Sequence, residues 1–417
     1  MAKKQTLSRR QLLAGASIAG VSAAAGFLSP AYGATGSIKI GHQCDLTGPL
    51  ADNGYWRKKT VDAAARWINA NGGVAGRQLE VITVDTECKV DVGVLRLRQL
   101  LQDNAVDFVI GSQHGGVSIA SNPILLEQKT LCMSLSRTDE VTGKVANPYI
   151  FRFMVNTALA AHAAGNWMVK STGKRWALIC ADYVWGHGHR DAWVEQLKAA
   201  NGEAAAVVPI PVNTADPISF VSRIDRSVDA IFVALLGPDL PRVLIALDQL
   251  GFGAKTKVVV DAGFGLVEIL KFGKQVDGAF GMDSTPFELA DIDTPHQRNM
   301  RDAIGLDPMN YEVGTKRWGV AGDIWPAWAS MSFIKQTVEK SGWQSRDHTA
   351  GLIKYAEANP NWAESEFFPQ GPVYIRPQDH QGFCNYYALK IEGGRIRVKS
   401  KIEKEKGFYP AVVNLQK

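Results

Sequence analysis

Residues Val106 to Gln128, VDFVIGSQHGGVSIASNPILLEQ, run from an apolar segment through a glycine-rich turn into a helical pattern. Val106, Phe108, Val109 and Ile110 are strand formers, and from Ser118 onward Ile119, Pro123 and Leu126 recur at helical spacing. Such a junction points backbone N–H groups outward at the start of a helix. Gly115 and Gly116 ahead of it let a negative group approach the main chain, because no Cβ blocks the way and the helix dipole favours the charge. Carboxylate and phosphate both fit there, and an ordinary strand-to-helix turn of an α/β protein looks the same.

The same grammar extends in both directions. Before the turn lie a strand beginning at Ile38 to Ile40, a helix with Val61, Ala64, Ala65 and Ile68 on one face, a strand Leu79 to Val84 and a helix Val90 to Asp103; after it comes a strand Leu131 to Leu135. Beyond Phe153 a second run alternates a helix near Ala158 to Lys170, strand Trp176 to Cys180, a helix with Trp193, Leu197 and Ala200, and strand Ala206 to Ile210. A short helix from Ile218, strand Ala230 to Ala234, a helix opened by Pro238 and strand Lys257 to Val260 complete it. Strands joined by helical crossovers are parallel and buried on both faces. The expected fold is therefore α/β, with two doubly wound parallel-sheet lobes. Past Phe280 the alternation stops: Met309 to Trp343 reads as mostly helical with a break near Pro326, and Thr349 to Ala358 as one more helix. Cys384 to Ile391 and Ile396 to Ile402, around Glu392-Gly393-Gly394, read as an antiparallel hairpin that can cross back between lobes.

At the other end, Ser8-Arg9-Arg10-Gln11-Leu12-Leu13 and the Ala- and Gly-rich run to Leu28 resemble a bacterial twin-arginine export signal, with small residues at Ala31-Tyr32-Gly33 for cleavage. The run is shorter and less apolar than a spanning helix needs. Removing residues 1–33 takes away four basic and no acidic residues, lowering the formal charge from +5 to +1, which argues against a nucleic-acid surface. The 384 residues left exceed what one core usually serves, in keeping with two lobes. Five cysteines, at 44, 88, 132, 180 and 384, are widely spaced with no Cys-x-x-Cys, so neither a zinc site nor a dense disulfide scaffold is indicated.

In open parallel sheets ligands bind beyond the carboxyl ends of the strands. There the chain places His42-Gln43-Cys44-Asp45, Asp85-Thr86-Glu87-Cys88, Ser112 to Gly116, Ser134 to Asp139, Asp182 to Gly188, Leu236-Gly237-Pro238 and Asp261 to Phe264. With IKIGHQCDLTGPLADNG, INANGGVAGRQLEVITVDTECKVD, VIGSQHGG, MSLSRTDEVTG, ICADYVWGHG and GPVYIRPQDHQG in this order, nearly the whole mature chain resembles the leucine/isoleucine/valine-binding family of periplasmic receptors for ABC importers. The resemblance implies two lobes on a three-segment hinge: 34–154 with 286–367, and 155–285 with 368–417, after the leader 1–33. It also implies a periplasmic, monomeric receptor that closes over a small carboxylate and hands it to an ABC permease, with no cofactor, metal, catalytic residue or nucleic acid.

Carried over by position, the implied first-lobe contacts are Asn53, Gly115, Ser136 and Thr138, and the second-lobe contacts Trp185, Leu236 and Ala262. The Ser136 and Thr138 hydroxyls and the amides around Gly115 and Gly116 are expected to cage a carboxylate without counter-charge. Trp185 and Tyr183 are expected to cover the ligand's apolar body. Arg137 and His114 can add positive character, unless Arg137 pairs with Asp139 or Glu140. Amino-acid binders of the family hold the ligand ammonium with an acid, but this chain has Ala262 there, with Asp261 one position off, and an unpartnered buried ammonium is costly. FRFMVNTALA and RWALICADYVWG resemble a branch that takes aromatic or other non-amino carboxylates. The ligand is thus expected to be a branched-chain or other amino acid, or an aromatic or other organic acid. In the family a cysteine at Cys88 joins one at the position of His114; here Cys44 and Cys132 are the alternatives. Two rivals share the fold: a ligand-sensing module, and a cleft hydrolase using His187, His189, Asp182 and Glu87, although G-x-S-x-G, P-loop, G-x-G-x-x-G and H-E-x-x-H motifs are all absent.

Overall fold

The computed structural model describes residues 36–252, 255–261, 270, 276–315 and 317–417. The leader, Ala262 and Phe264 lie outside the described residues.

The first sheet is wholly parallel. β1 (Ile38–Cys44), α1 (Ala51–Ala70), β2 (Leu79–Asp85), α2 (Val90–Gln102), β3 (Phe108–Ile110), α3 (Gly115–Glu127), β4 (Cys132–Met133) and β5 (Ile150–Phe151) give the strand order β2-β1-β3-β4-β5. Ile38, Ile40, Phe108, Val109, Ile110 and Met133 are buried, as a sheet covered on both faces requires.

The second sheet has seven strands. α4 (Thr157–Thr172), β6 (Arg175–Ala181), α5 (Val184–Ala199), β7 (Glu203–Ile210), α6 (Ile218–Val221), β8 (Ala230–Ala234), α7 (Asp239–Gln249), β9 (Lys257–Val260) and β10 (Phe280–Asp283) supply its parallel part. The chain then forms α8 (Pro295–Ile304), α9 (Ala321–Ser341) and α10 (Thr349–Ala358), followed by β11 (Asn361–Trp362), β12 (Val373–Ile375) and β13 (Gly382–Phe383) in a small antiparallel sheet. α9 returns to the first lobe, where Asp323 accepts from Asn53 and Arg57 on α1 and Lys335 donates to the Gly73 carbonyl. β14 (Tyr386–Glu392) and β15 (Arg395–Ile402) form the expected hairpin, with Gly393 and Gly394 both at positive φ in its tight turn. The hairpin pairs antiparallel with β10, giving the order β15-β14-β10-β9-β8-β6-β7.

Three connections join the lobes, after β5, after β10 and between β13 and β14. Arg152 and Gln381 on two of them lie side by side, with Arg152 N donating to the His380 carbonyl (3.1 Å) and Gly382 N to the Arg152 carbonyl (2.7 Å).

Two expectations need correction. The described residues between Met309 and Val320 are not helical: antiparallel bridges pair Leu306 with Glu312 and Tyr311 with Trp318. Asn310 and Gly314 take positive φ there, and Asp307 accepts from the Met309 and Tyr311 amides, so local turn bonding competes successfully with the helix. Pro326 does not break α9 either; it sits in the helix's second turn, where the missing N–H removes a single bond near the end. Among the described residues no helix is long and apolar enough to cross a membrane.

Candidate ligand-binding site

The carboxyl ends of both parallel sheets meet in one place. Leu50 ahead of α1, Gln113, His114 and Gly115 at the β3–α3 junction, and Arg137 and Thr138 beyond β4 come from the first lobe. Tyr183 and Trp185 at the β6–α5 junction and Leu236 beyond β8 come from the second. Together they line an inner pocket with a cavity volume of only about 10 Å³. An outer cleft of about 450 Å³ adjoins it, and Leu50, His114, Tyr183 and Leu236 border both spaces, forming the neck between them. The lobes are in near contact here. A Cβ at Gly115 would lie 2.1 Å from Thr138 Oγ1 and 3.3 Å from Val184 Cγ1 of the opposite lobe, so only glycine fits without displacement.

The turn quoted at the outset does hold a carboxylate, but it is the chain's own. Asp45, at the end of β1, accepts from Ser112 Oγ (2.8 Å), the Gln113 amide (2.8 Å), the His114 amide (3.3 Å) and Thr86 Oγ1. His114 then caps α3, its Nδ1 accepting from Val117 N (3.3 Å), which leaves the ring proton on Nε2. Burial lowers the His114 pKa, against a smaller opposing pull from Asp45, and keeps the imidazole neutral. α3 therefore starts at Gly115, three residues earlier than the periodicity from Ser118 indicates, with the two glycines inside its first turn.

The positive charge in the pocket belongs to Arg137. Asp139 does not pair with it, because its carboxylate accepts from Thr157 Oγ1 and Ala158 N at the start of α4. Among the described residues no carboxylate comes within ion-pairing distance of the Arg137 guanidinium, and its buried Nε has no hydrogen-bond partner. Burial opposes the charge, yet the fields of Asp261, Tyr386, Asp283 and Asp323 outweigh it and hold the pKa above the usual arginine value. The backbone beside Arg137 is pinned by Arg152, which donates to the Ser136 (3.2 Å) and Thr138 (2.5 Å) carbonyls and, through Nε, to Gln381 on the crossing segment (2.7 Å). Burial also raises the Tyr183 pKa, so its phenol is neutral. Its ring lies within 10° of parallel to His114 across the neck, centroids 6.4 Å apart.

A profile described as periplasmic binding protein matches residues 37–395. The chain belongs to the periplasmic binding protein family. A Leu/Ile/Val-binding protein of Rhizobium johnstonii is 24% identical over 307 residues, covering 73% of this chain and 80% of the relative. Among solved structures, an R. palustris ABC-transporter solute-binding protein in complex with 4-hydroxybenzoate aligns with a TM-score of 0.75 at 22% identity, covering 88% of this chain and 96% of that one. An amino acid ABC transporter substrate-binding protein of Pseudomonas fluorescens aligns with a TM-score of 0.75 at 18% identity, covering 91% and 98%. The family resemblance and the fold expected from the sequence are both borne out.

In this periplasmic binding protein His114, Gly115, Arg137, Thr138, Tyr183, Trp185 and Leu236 come together in the inner wall, and Gly116 borders the outer cleft. Asn53 and Ser136 are not on the wall. Asn53 donates to Asp323 (2.5 Å), and Ser136 Oγ accepts from the Thr138 amide (3.2 Å), each supporting the site from behind. Asp261, also off that wall, faces His189 Nε2 at 3.2 Å. His189 is buried and His187, paired with Asp182 at 2.8 Å, is half-buried on α5, so the two rings sit in different surroundings. No group of three metal-binding side chains occurs among the described residues. All five cysteines are free thiols; Cys44 Sγ donates to the Gly54 carbonyl and Cys88 Sγ to that of Thr47. Trp56 is wholly buried in the first lobe and is core. Sequence reasoning placed Asp45 and Gln113 at strand ends without singling them out, and missed Leu50, which carries no signal beyond its position before α1.

Proposed function

We propose that this chain is the extracytoplasmic receptor of an ABC importer, delivered by its twin-arginine leader, and that it captures an organic carboxylate between its lobes by hinge closure. The observation that carries this reading is Arg137: a buried guanidinium on the pocket wall with no anionic partner within ion-pairing distance among the described residues. A buried charge of this kind calls for a hydrogen-bonded counter-ion, and a ligand carboxylate supplies one in planar, two-pronged geometry. The head group is thus met by a cation, not only by the neutral donors expected from the sequence. Thr138 and the Gly115 amide add neutral donors beside it.

The rest of the wall favours a flat apolar body. Tyr183, Trp185, Leu50 and Leu236 surround the space, and no carboxylate among the described lining residues offers itself to an ammonium. Hinge closure fits the volumes, since a space of about 10 Å³ holds no more than one water and the lobes must part to admit an acid. The amino-acid reading keeps the support of relatives named for leucine, isoleucine and valine.

Calorimetric titration separates the two. Benzoate-type acids should bind with one site per chain, leucine and valine far more weakly, and Arg137→Met should cost the acids at least about 2 kcal/mol through loss of a buried charged contact. Tight binding of leucine with benzoate inert, or an Arg137→Met protein that binds acids normally, would refute the proposal.

A further inference from the structure

The outer cleft is the larger space between the lobes. At about 450 Å³ it falls in the roughly 300–1,000 Å³ range of small-molecule pockets, whereas the inner pocket beside Arg137 measures about 10 Å³. The two spaces are continuous, because Leu50, His114, Tyr183 and Leu236 border both. A ligand seated on Arg137 and long enough to leave the inner pocket therefore passes the neck into the cleft. The wall it meets is largely apolar and comes from both lobes: Pro49 and Leu50 ahead of α1 from the first, Val184, Val212 and Pro238 from the second. Val212, just beyond β7, is left 46% exposed.

The polar groups of this wall are already engaged. Asp239, 5% exposed, accepts from the Asn213 amide (2.8 Å) and from Arg242 Nη1 (3.3 Å). Cys88 Sγ donates to the Thr47 carbonyl, and His114 Nδ1 accepts from Val117 N. These three groups call for no polar partner, whereas apolar matter gains by leaving water for such a wall. A compact acid that closed the lobes would leave the cleft to on the order of fifteen waters, at their liquid volume, against apolar side chains. Resting on the carboxylate reading above, we infer that the ligand is a carboxylic acid carrying an extended apolar chain, with its head on Arg137 and its chain running through the neck to fill the outer cleft. Because both lobes supply the wall, the chain bridges them and adds to closure.

The test is calorimetry on the purified chain with benzoate and its 4-methyl, 4-butyl and 4-hexyl derivatives. Each methylene buried in an apolar site tightens binding by about threefold, so 4-butylbenzoate should outbind 4-methylbenzoate by about thirtyfold. Val212→Asp puts a charge on the outer wall at an exposed position, where folding is not at stake, and should cut that preference to about threefold or less. A second readout needs no variant. Cys88 borders the outer cleft and is half-buried, while the other four thiols are buried. Saturating 4-butylbenzoate should slow alkylation of Cys88 by iodoacetamide several-fold more than saturating benzoate does. Binding of benzoate with an affinity that stays flat or falls from methyl to hexyl overturns the inference and leaves the carboxylate reading intact. So does a butyl preference that survives in Val212→Asp, or equal protection of Cys88 by the two acids. Failure of all four acids to bind overturns the carboxylate reading and this inference with it.

Discussion

His42 sits on β1, fully buried, with neither ring nitrogen hydrogen-bonded. Burial, helped by the charges of Arg57 and Lys58, pushes its pKa down to about 3. The folded protein thus keeps His42 neutral, while the unfolded chain takes up a proton near pH 6.5. Between those values the unfolded state binds more protons, so the stability tied to His42 is complete above pH 6.5 and drains away as pH falls towards 3. Urea unfolding at pH 7.5 and pH 5 should show wild type losing about 2 kcal/mol more than His42→Leu. Equal losses would acquit His42. Residue chemistry also explains what the sequence revealed of the site. Gly115, Arg137 and Thr138 are legible because they follow strand ends in the family pattern, and Tyr183 and Trp185 because they open a helix. Whether a side chain faces the cleft or the support behind it depends on distant partners. Asn53 is drawn away by Asp323, 270 positions along the chain, and no local pattern records that pull.

At the scale of elements, the β3–α3 turn owes its shape to a carboxylate from β1. Asp45 gathers two hydroxyls and two amides with no cation among their donors, so exchanging one oxygen for an NH₂ leaves donors facing a donor. Asp45→Asn should lower stability by about 1.5 to 3 kcal/mol, read from the urea midpoint, and weaken ligand binding because His114 and Gly115 shift with the turn. An unchanged midpoint would mean that the turn holds itself. Strands and helices of the two alternating runs are legible because period-2 and period-3.6 patterns persist over several turns. Met309 to Val320 misleads because its apolar residues serve a turn cluster: Trp318 packs edge-on against Tyr311, centroids 5.0 Å apart, and helical spacing there is incidental.

For the whole molecule, the inner pocket of about 10 Å³ has no room for an acid while the lobes lie this close. Small-angle scattering should therefore give a larger radius of gyration without ligand than with it, the change expected of hinge closure. Superimposable curves would count against a moving hinge. That the chain would cross between halves was readable from the returning hairpin, whereas the bracing of the crossing by Arg152 and Gln381 was not, since it joins side chains 229 positions apart. The hairpin also sets an order of events in biosynthesis. β14, which shields the flank of β10, begins only at residue 386, so the larger sheet stays incomplete until that later segment has been synthesised. A messenger truncated just before it would yield a polypeptide with a bare ribbon margin inviting cross-chain pairing, and quality control, not transport, would decide its fate.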